Sequence, residues 1–114
     1  MNAKLQLKAV ASIIGASTVT IPRLSTSDKD FPKLERVGRS IFIDEDKFYH
    51  WLSSKAGEKI TPKDKLLKGK EIQAYYSKSH TWLWQHVKDG NLPKPFKINR
   101  TNYWIERDIM KGNV

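Results

Sequence analysis

The chain carries the same sequence pattern twice, about sixty residues apart. Residues 31–48 read FPKLERVGRSIFIDEDKF and residues 92–109 read LPKPFKINRTNYWIERDI, with four identities at an offset of 61. Many other aligned positions hold similar side chains, as at Val37 and Ile98. Upstream the offset becomes 62, so the first copy has one extra residue within the segment 17–32, where we expect a loop. A repeat of this kind predicts two similar small units, each closing its own core.

The boundaries of the two units follow from the repeat and from the residues between the copies. We expect a first unit over residues 1–56, a linker over residues 57–65 and a second unit over residues 66–114. The linker contains Gly57 and Pro62, residue types that are common in connections between folded segments. A length of 114 residues suits one ordinary domain or two very small ones, and the repeat favours the second arrangement.

Each copy begins with apolar residues at helical spacing. Val10 and Ile14 in the first copy, and Ile72 and Tyr76 in the second, lie four positions apart and predict a short amphipathic helix. A second helix follows after a turn, and its pattern is clearest over residues 79–89. The expected capping residues of the second helices are Ser17, Ser79 and, at the carboxyl end, Gly90.

A β-hairpin and a closing helix complete each copy. Residues 36–43 and 97–104 predict hairpins that turn at Gly38 and Asn99, which both tolerate positive φ. The closing helices are expected after the capping residue Asp44 and over residues 106–111. The predicted fold class is α+β and mostly helical, with the order helix, turn, helix, hairpin and closing helix in both units.

The second copy resembles a known family of DNA-binding proteins. Residues 79–95, SHTWLWQHVKDGNLPKP, resemble the recognition helix and the acidic-Gly-x-Phe/Leu-Pro-x-Pro turn of the AlpA and excisionase group of MerR-like winged-helix proteins. Residues 27–33, SDKDFPK, resemble a longer form of that turn. The two matches cover most of residues 5–111. The resemblance implies tandem winged helix-turn-helix units from a phage or another bacterial mobile element.

The first copy departs from this pattern in two ways. Pro22 aligns with Trp84 inside the expected recognition helix, so we expect that helix to be short, late or kinked. Residues 1–56 hold nine basic and six acidic residues, a net charge of +3, whereas residues 57–114 hold twelve and six, a net charge of +6. The second unit is therefore expected to be the stronger DNA reader.

The charge of +9 makes a polyanion the first partner to consider. In the second recognition helix we expect Leu83 and Val87 in the core, so that Gln85 and Thr81 face base edges. The hairpin arginines are expected to reach phosphates or the minor groove. The residues predicted to contact DNA are Ser79, His80, Thr81, Gln85, Lys88, Lys97, Arg100 and Thr101 in the second copy, and Thr18, Arg23, Arg36, Arg39 and Ser40 in the first.

Two further groups of residues receive a structural interpretation. Trp82 and Trp84 are expected in the core rather than stacked on bases. The lysines around the linker are interpreted as a solvated strip that consists of Lys55, Lys59, Lys63, Lys65, Lys68 and Lys70.

Catalysis and cofactor binding are not expected. The absence of cysteine excludes disulfides and thiolate metal sites. The acidic run 44–46 is explained by helix capping, and His50, His80 and His86 lack metal-ligand spacing. We expect no enzyme activity, no metal and no cofactor. We also expect no secretory signal and no membrane span, with a cytoplasmic, nucleoid-associated location.

The sequence supports two functional hypotheses. In the first, the chain binds specific double-stranded DNA, and the resemblance implies that it acts as a transcriptional regulator or as an excisionase, a non-catalytic factor that directs an integrase; self-association on DNA stays open. In the alternative, the first unit is a protein-interaction module in which Pro22, Tyr49 and Trp51 dock a partner such as an integrase or a repressor.

Overall fold

The computed structural model describes residues 3–111. The chain divides into two compact units, with the boundary between Thr61 and Pro62. Each unit contains the same order of elements, which is one strand, two helices, two strands and a closing helix. The described residues therefore form six helices and two three-stranded antiparallel sheets, and the expected α+β class is confirmed.

The first unit is built on a sheet whose central strand is the third in chain order. Its elements are β1 (Lys4–Gln6), α1 (Leu7–Ile14), α2 (Thr20–Ser27), β2 (Glu35–Val37), β3 (Ser40–Asp44) and α3 (Glu45–Ala56). Strand β3 pairs antiparallel with β1 and with β2. Val37 lies opposite Ser40, which leaves Gly38 and Arg39 as a two-residue turn.

The second unit repeats this topology. Its elements are β4 (Leu66–Lys68), α4 (Gly69–Tyr76), α5 (His80–Lys88), β5 (Phe96–Ile98), β6 (Thr101–Ile105) and α6 (Glu106–Met110). Strand β6 is central and pairs antiparallel with β4 and with β5. Ile98 lies opposite Thr101, so Asn99 and Arg100 form the turn. Both expected hairpins are confirmed, but the sequence pattern did not predict the additional strands β1 and β4.

The first helix of each unit ends at a residue with positive φ. Gly15 follows α1 with a φ of 65° and Ser77 follows α4 with a φ of 55°, both in the left-handed conformation that ends many helices. At the start of α4, the backbone N–H of Lys68 donates a 3.0 Å hydrogen bond to the side chain of Glu71. The helix therefore starts directly at the end of strand β4.

The second helices of the two units begin differently. In α5 the hydroxyl of Ser79 accepts a hydrogen bond from the backbone N–H of Trp82 at 3.1 Å, as expected for a capping serine. The corresponding expectation for Ser17 is wrong, because its hydroxyl contacts the hydroxyl of Thr20 and α2 begins only after Val19. This N-cap residue is itself in a helical conformation, so no side chain caps α2.

Pro22 is accommodated by this late start. It is the third residue of α2, within the first turn, where backbone N–H groups have no partner inside the helix. Of the expected alternatives, a helix that is short, late or kinked, the structure contains the late one. The helix has eight residues in all and ends at Ser27, before the loop that leads to β2.

Each unit has its own buried core. The first core includes Val10, Ile14, Ile21, Ile43, Phe48, Trp51 and Leu52. The second includes Leu67, Ile72, Leu83, Leu92, Trp104 and Ile109. Val87 is half-buried and packs against this second core, as expected, together with Trp82 and Trp84. Both tryptophans are therefore half-buried against the core rather than enclosed in it.

The segment predicted as the linker, residues 57–65, is in contact with both units. The Ile60 side chain is buried, and its backbone N–H donates a 2.8 Å hydrogen bond to the Ser53 hydroxyl in the first unit. In the second unit, Asp64 forms an ion pair with Arg107 at 2.9 Å. Within residues 3–111, no helix combines the length and the apolar character that crossing a bilayer would require.

Candidate nucleic-acid interface

The second unit contains a cleft between the start of α4, the start of α5 and the β5–β6 hairpin. Its volume is about 410 Å³. Exposed polar side chains lie around its opening, among them Lys70, His80 and Arg100. Its floor is apolar, because the buried side chains of Leu83 and Trp104 line it. We call this the second-unit cleft; its other lining residues are Lys68, Gly69, Gln73, Trp84, Thr101 and Asn102.

The first unit contains an equivalent cleft of about 310 Å³. We call it the first-unit cleft, and its lining residues are Gln6, Leu7, Lys8, Thr18, Arg39, Ser40 and Ile41. At the offsets of the sequence repeat, every one of these positions aligns with a residue that lines the second-unit cleft. Arg39 aligns with Arg100, and Lys8 aligns with Lys70. The two units therefore present the same cleft with a cation at the same two positions.

The hairpin turns position the two arginines. In the second unit Asn99 and Arg100 have φ values of 48° and 70°, the pattern of a type I′ turn. In the turn of the first unit Gly38 has a positive φ, of 62°, and Arg39 does not, as in a type II′ turn with glycine in the first central position. Both turns contain two residues, so Arg39 and Arg100 occupy the same place relative to the central strand.

Four cations of the two clefts are not paired with carboxylates. Within the part of the chain that the structure describes, Arg39, Arg100, Lys8 and Lys70 form no ion pair, and no acidic side chain lines either cleft. Other cations are paired with carboxylates, as in the 2.7 Å ion pair of Lys55 with Asp28. The clefts therefore combine a concave shape with uncompensated positive charge, which attracts anions.

One lysine of the second-unit cleft lies against an aromatic ring. The ammonium nitrogen of Lys68 is 6.0 Å from the centre of the Tyr103 ring. Burial raises the pKa of the Tyr103 phenol, and the negative charge of Glu71 raises it further. The phenol therefore remains neutral at physiological pH and adds no negative charge to the cleft.

Six of the residues predicted to contact DNA line the two clefts, three in each cleft. His80, Arg100 and Thr101 line the second-unit cleft, and Thr18, Arg39 and Ser40 line the first-unit cleft. The other predicted residues are exposed outside these clefts; they are Ser79, Thr81, Gln85, Lys88 and Lys97 in the second unit and Arg23 and Arg36 in the first.

Helix α5 has three distinct faces. Leu83 and Val87 face the core, His80 and Trp84 line the cleft, and a third, exposed face contains Thr81, Gln85 and Lys88. The amide nitrogen of Gln85 donates hydrogen bonds to the carboxylate of Asp89 at 3.1 and 3.2 Å. A base edge would have to replace these bonds.

Three lysines of the clefts were not among the predicted contact residues. Lys70 and Lys68 were interpreted as part of a solvated strip, whereas both line the second-unit cleft. Lys8 lines the first-unit cleft and was not assigned a role. The sequence repeat aligns Lys8 with Lys70, and this alignment was the signal that could have identified both lysines.

The residues expected to dock a protein partner differ in accessibility. Trp51 is 2% exposed and packs in the first core, so its ring is not available to a partner. Pro22 is exposed and Tyr49 is half-buried. Among residues 3–111 there is no group of three or more histidine or acidic side chains that is suited to holding a metal ion.

Comparisons with known protein families, with curated proteins and with solved structures find no match to this chain.

Proposed function

We propose that the chain binds specific sequences of double-stranded DNA through two tandem winged helix-turn-helix units. The proposed biological role is that of a transcriptional regulator or an excisionase of a phage or another mobile element, without catalytic activity of its own. The order of elements in each unit supports this proposal, since two helices joined by a short turn precede a two-stranded hairpin.

The observation that carries the proposal is the recurrence of the basic cleft. A duplex presents regularly spaced phosphates, and a protein that contacts it at two similar units needs cations at equivalent places. Arg39 and Arg100, together with Lys8 and Lys70, supply them. Recurrence of these positions is expected if both clefts contact the same kind of polyanion.

In this mechanism α5 enters the major groove. Thr81 and Gln85 are exposed one helical turn apart, so both can reach neighbouring base edges from one face of the helix. Glutamine makes bidentate hydrogen bonds to adenine, and the threonine methyl group suits the methyl group of thymine. Arg100 contacts the backbone or the adjacent minor groove from the hairpin.

The connection between the units adds to the affinity. Once one unit is bound, the short tether keeps the other at a high effective concentration near the adjacent site. The second unit is the stronger partner in this proposal because residues 62–114 carry a net charge of +6, against +3 for residues 1–61. The first unit then extends the recognised sequence.

The proposal is tested by selecting bound fragments from a library of genomic duplexes with the purified full chain. A recovered motif is then titrated with wild-type protein, Gln85→Ala and Thr81→Ala, and with Lys94→Ala as a control. Lys94 is an exposed cation of the same unit outside the cleft. We expect Gln85→Ala to lose about 1–3 kcal/mol of discrimination at one base pair. Binding without a motif would contradict the proposed sequence specificity.

A second candidate function for the first unit rests on exposed apolar residues. Val19 is 61% exposed and Val37 is 67% exposed, whereas Ile98, which aligns with Val37, is buried. Such residues favour contact with a protein partner. Replacing Arg23 and Arg39 together tests this alternative: unchanged DNA affinity with a lost protein complex would assign the first unit to protein interaction.

A further inference from the structure

The second-unit cleft differs from the first-unit cleft in both charge and depth. Lys68 takes the place of Gln6, which adds a third cation to the pair shared by both clefts. His80 takes the place of Thr18 at the start of the second helix. The cleft is also larger, at about 410 Å³ against about 310 Å³. The second-unit cleft is therefore suited to a larger anionic group.

The floor of the second-unit cleft is aromatic. Trp84 and Trp104 both line it, with their ring centres 5.7 Å apart, and Trp84 is only half-buried. The first-unit cleft contains no aromatic residue, because Pro22 and Ile43 occupy the aligned positions and lie outside its lining. An indole face offers apolar contact to a ligand whose charged end meets the cations at the rim.

Gly69 keeps this floor open. A Cβ atom at this position would lie 3.3 Å from the Cδ2 of Leu83 and 3.7 Å from the Cζ3 of the Trp104 ring. The aligned residue in the first-unit cleft is Leu7, whose side chain lines that cleft. The second unit therefore has glycine where the first has leucine, and the missing side chain leaves space beside the tryptophan rings.

A ligand that fits this arrangement has an anionic group attached to a compact, weakly polar ring. One sugar–phosphate segment of a DNA strand has this chemistry, because the phosphate carries the charge and the deoxyribose offers carbon atoms that pack on an aromatic face. Free phosphate would engage the cations but leave the indole uncovered. The aromatic floor therefore favours the DNA backbone over the free ion.

We infer that the second-unit cleft holds one sugar–phosphate segment of the DNA backbone. Lys70 and Arg100 contact the phosphate oxygens, and the indole of Trp84 packs against the deoxyribose. This inference rests on the proposed DNA binding and adds to it a backbone clamp in the second unit. The clamp gives the second unit the larger share of the affinity that is independent of sequence.

The experiment measures the salt dependence of binding to a duplex of arbitrary sequence. The slope of log K against log salt concentration is negative, and each lost phosphate contact reduces its magnitude by about 0.9. We expect the double variant Lys70→Ala/Arg100→Ala to reduce the magnitude of the slope by about 1.8. It should also lose more affinity than Lys8→Ala/Arg39→Ala in the first unit. Lys94→Ala/Lys111→Ala is the matched control, since both lysines are exposed outside the cleft.

Trp84→Phe tests the contact with the sugar. This variant keeps an aromatic side chain against the core, and its thermal unfolding is measured alongside to report any loss of stability. We expect a several-fold weaker binding to arbitrary duplex with an unchanged salt slope, because the lost contact carries no charge. An unchanged affinity would overturn the assignment of Trp84.

Two outcomes separate this inference from the proposed function. If the selected motif is still bound and Gln85→Ala still weakens it, but Lys70→Ala/Arg100→Ala leaves the slope at the control value, the clamp is overturned and DNA binding stands. A second outcome is that orthophosphate shifts the amide resonance of Arg100, while Lys70→Ala/Arg100→Ala and Trp84→Phe leave the affinity for duplex unchanged. The cleft then binds the free ion, and the inference is again overturned. If wild-type protein binds no duplex, both proposals fail.

Discussion

The first and second units build the same arrangement of strands and helices around different cores. In the first, aromatic packing is centred on α3, where the Trp51 ring lies 4.8 Å from Phe31 and 6.1 Å from Phe48. In the second, α6 has five residues against twelve in α3, and it supplies fewer core side chains. Trp104 of β6 fills the second core instead, and the half-buried Trp84 packs beside it.

The ends of the two sheets show the same contrast. In the first sheet Lys4 lies opposite Asp44, and its ammonium nitrogen is 2.6 Å from a carboxylate oxygen of Glu35. In the second sheet Leu66 lies opposite Ile105 at the aligned register position, and both are buried. The same strand pairing is therefore supported by charge in one unit and by apolar burial in the other.

Two cations of the clefts are the same in both units, whereas a large core residue is not. A core side chain can become larger if a neighbouring side chain becomes smaller, because the group of residues together must fill the core. When a cation contacts an anion outside the protein, no neighbouring residue can take over that contact. This difference explains why Arg39 and Arg100 match while Ile43 and Trp104 do not, and it supports the proposal that both clefts contact the same partner.

The largest effect is expected from Trp104→Ala. Trp104 is 1% exposed, and its indole N–H donates a 2.8 Å hydrogen bond to the carbonyl of Pro93. Removing the ring leaves a cavity, so the second unit should lose about 3–5 kcal/mol of its free energy of unfolding. Amide hydrogen exchange, measured residue by residue in the full chain, shows which unit opens.

The control for this variant is Met110→Ala in the same unit. Met110 is 48% exposed, so its truncation should change the stability by no more than about 0.5 kcal/mol. Equal losses of protection in both units after Trp104→Ala would show that the two cores do not unfold separately.

A smaller effect is expected from exchanging side-chain size between the units. The first unit has Leu7 and Ile43 where the second has Gly69 and Trp104. Gly69→Leu alone should cost about 1–3 kcal/mol by overpacking against Leu83 and the indole. We expect the double variant with Trp104→Ile to lose less stability than the sum of the two single losses, as measured by chemical denaturation.

The double-mutant cycle includes Trp104→Ile alone, which isolates the coupling between the two positions. Additive losses would contradict the size exchange, because they would show that the two positions pack independently.

The elements predicted from the sequence are those that local signals define. The helical spacing of Val10 and Ile14 and the turn residues Gly38 and Asn99 are each readable within a few positions. The repeat strengthened them, since every signal occurred twice. The sequence therefore predicted all six helices and both hairpins close to the positions that the structure gives them.

The missing parts depend on contacts that are distant in the sequence. Strand β1 has three residues, and its pairing of Leu5 with Ile43 joins segments that are far apart in the sequence. A strand of three residues is too short to show the alternation of apolar and polar residues that predicts a strand. The clefts are likewise assembled from three separate segments, so the position of Lys70 beside Arg100 could not be derived from spacing alone.

The third prediction concerns an ionic contact that is present in the first unit only. Burial disfavours the charge of Asp28, but hydrogen bonds from Lys55, from the backbone of Asp30 and from the Trp51 indole outweigh it and lower the pKa of Asp28. A carboxyl whose pKa is lowered in the folded state stabilises fully above its unfolded pKa. That stabilisation is lost as the pH falls through the folded pKa.

We therefore expect Asp28→Asn to cost about 1.5 kcal/mol near neutral pH. The difference from wild type should shrink below about pH 4, near the ordinary pKa of aspartate, as the carboxyl takes up its proton. Denaturation curves between pH 2 and pH 7 measure both effects. Asp30→Asn is the matched control, because the Asp30 side chain is exposed and only its backbone bonds to Asp28. A difference that is constant with pH would contradict the ionic explanation.

The smallest effect is expected from the caps of the two second helices. Ser79 accepts a hydrogen bond from the backbone N–H of Trp82, so Ser79→Ala should destabilise the second unit by about 1 kcal/mol. Ser17 holds the aligned position before α2 but does not cap it, so Ser17→Ala should change the stability by less than about 0.5 kcal/mol. Thermal unfolding of both variants measures the difference. Equal losses would show that α2 gains an N-terminal cap from Ser17 in solution, and the contrast between the starts of the two helices would then disappear.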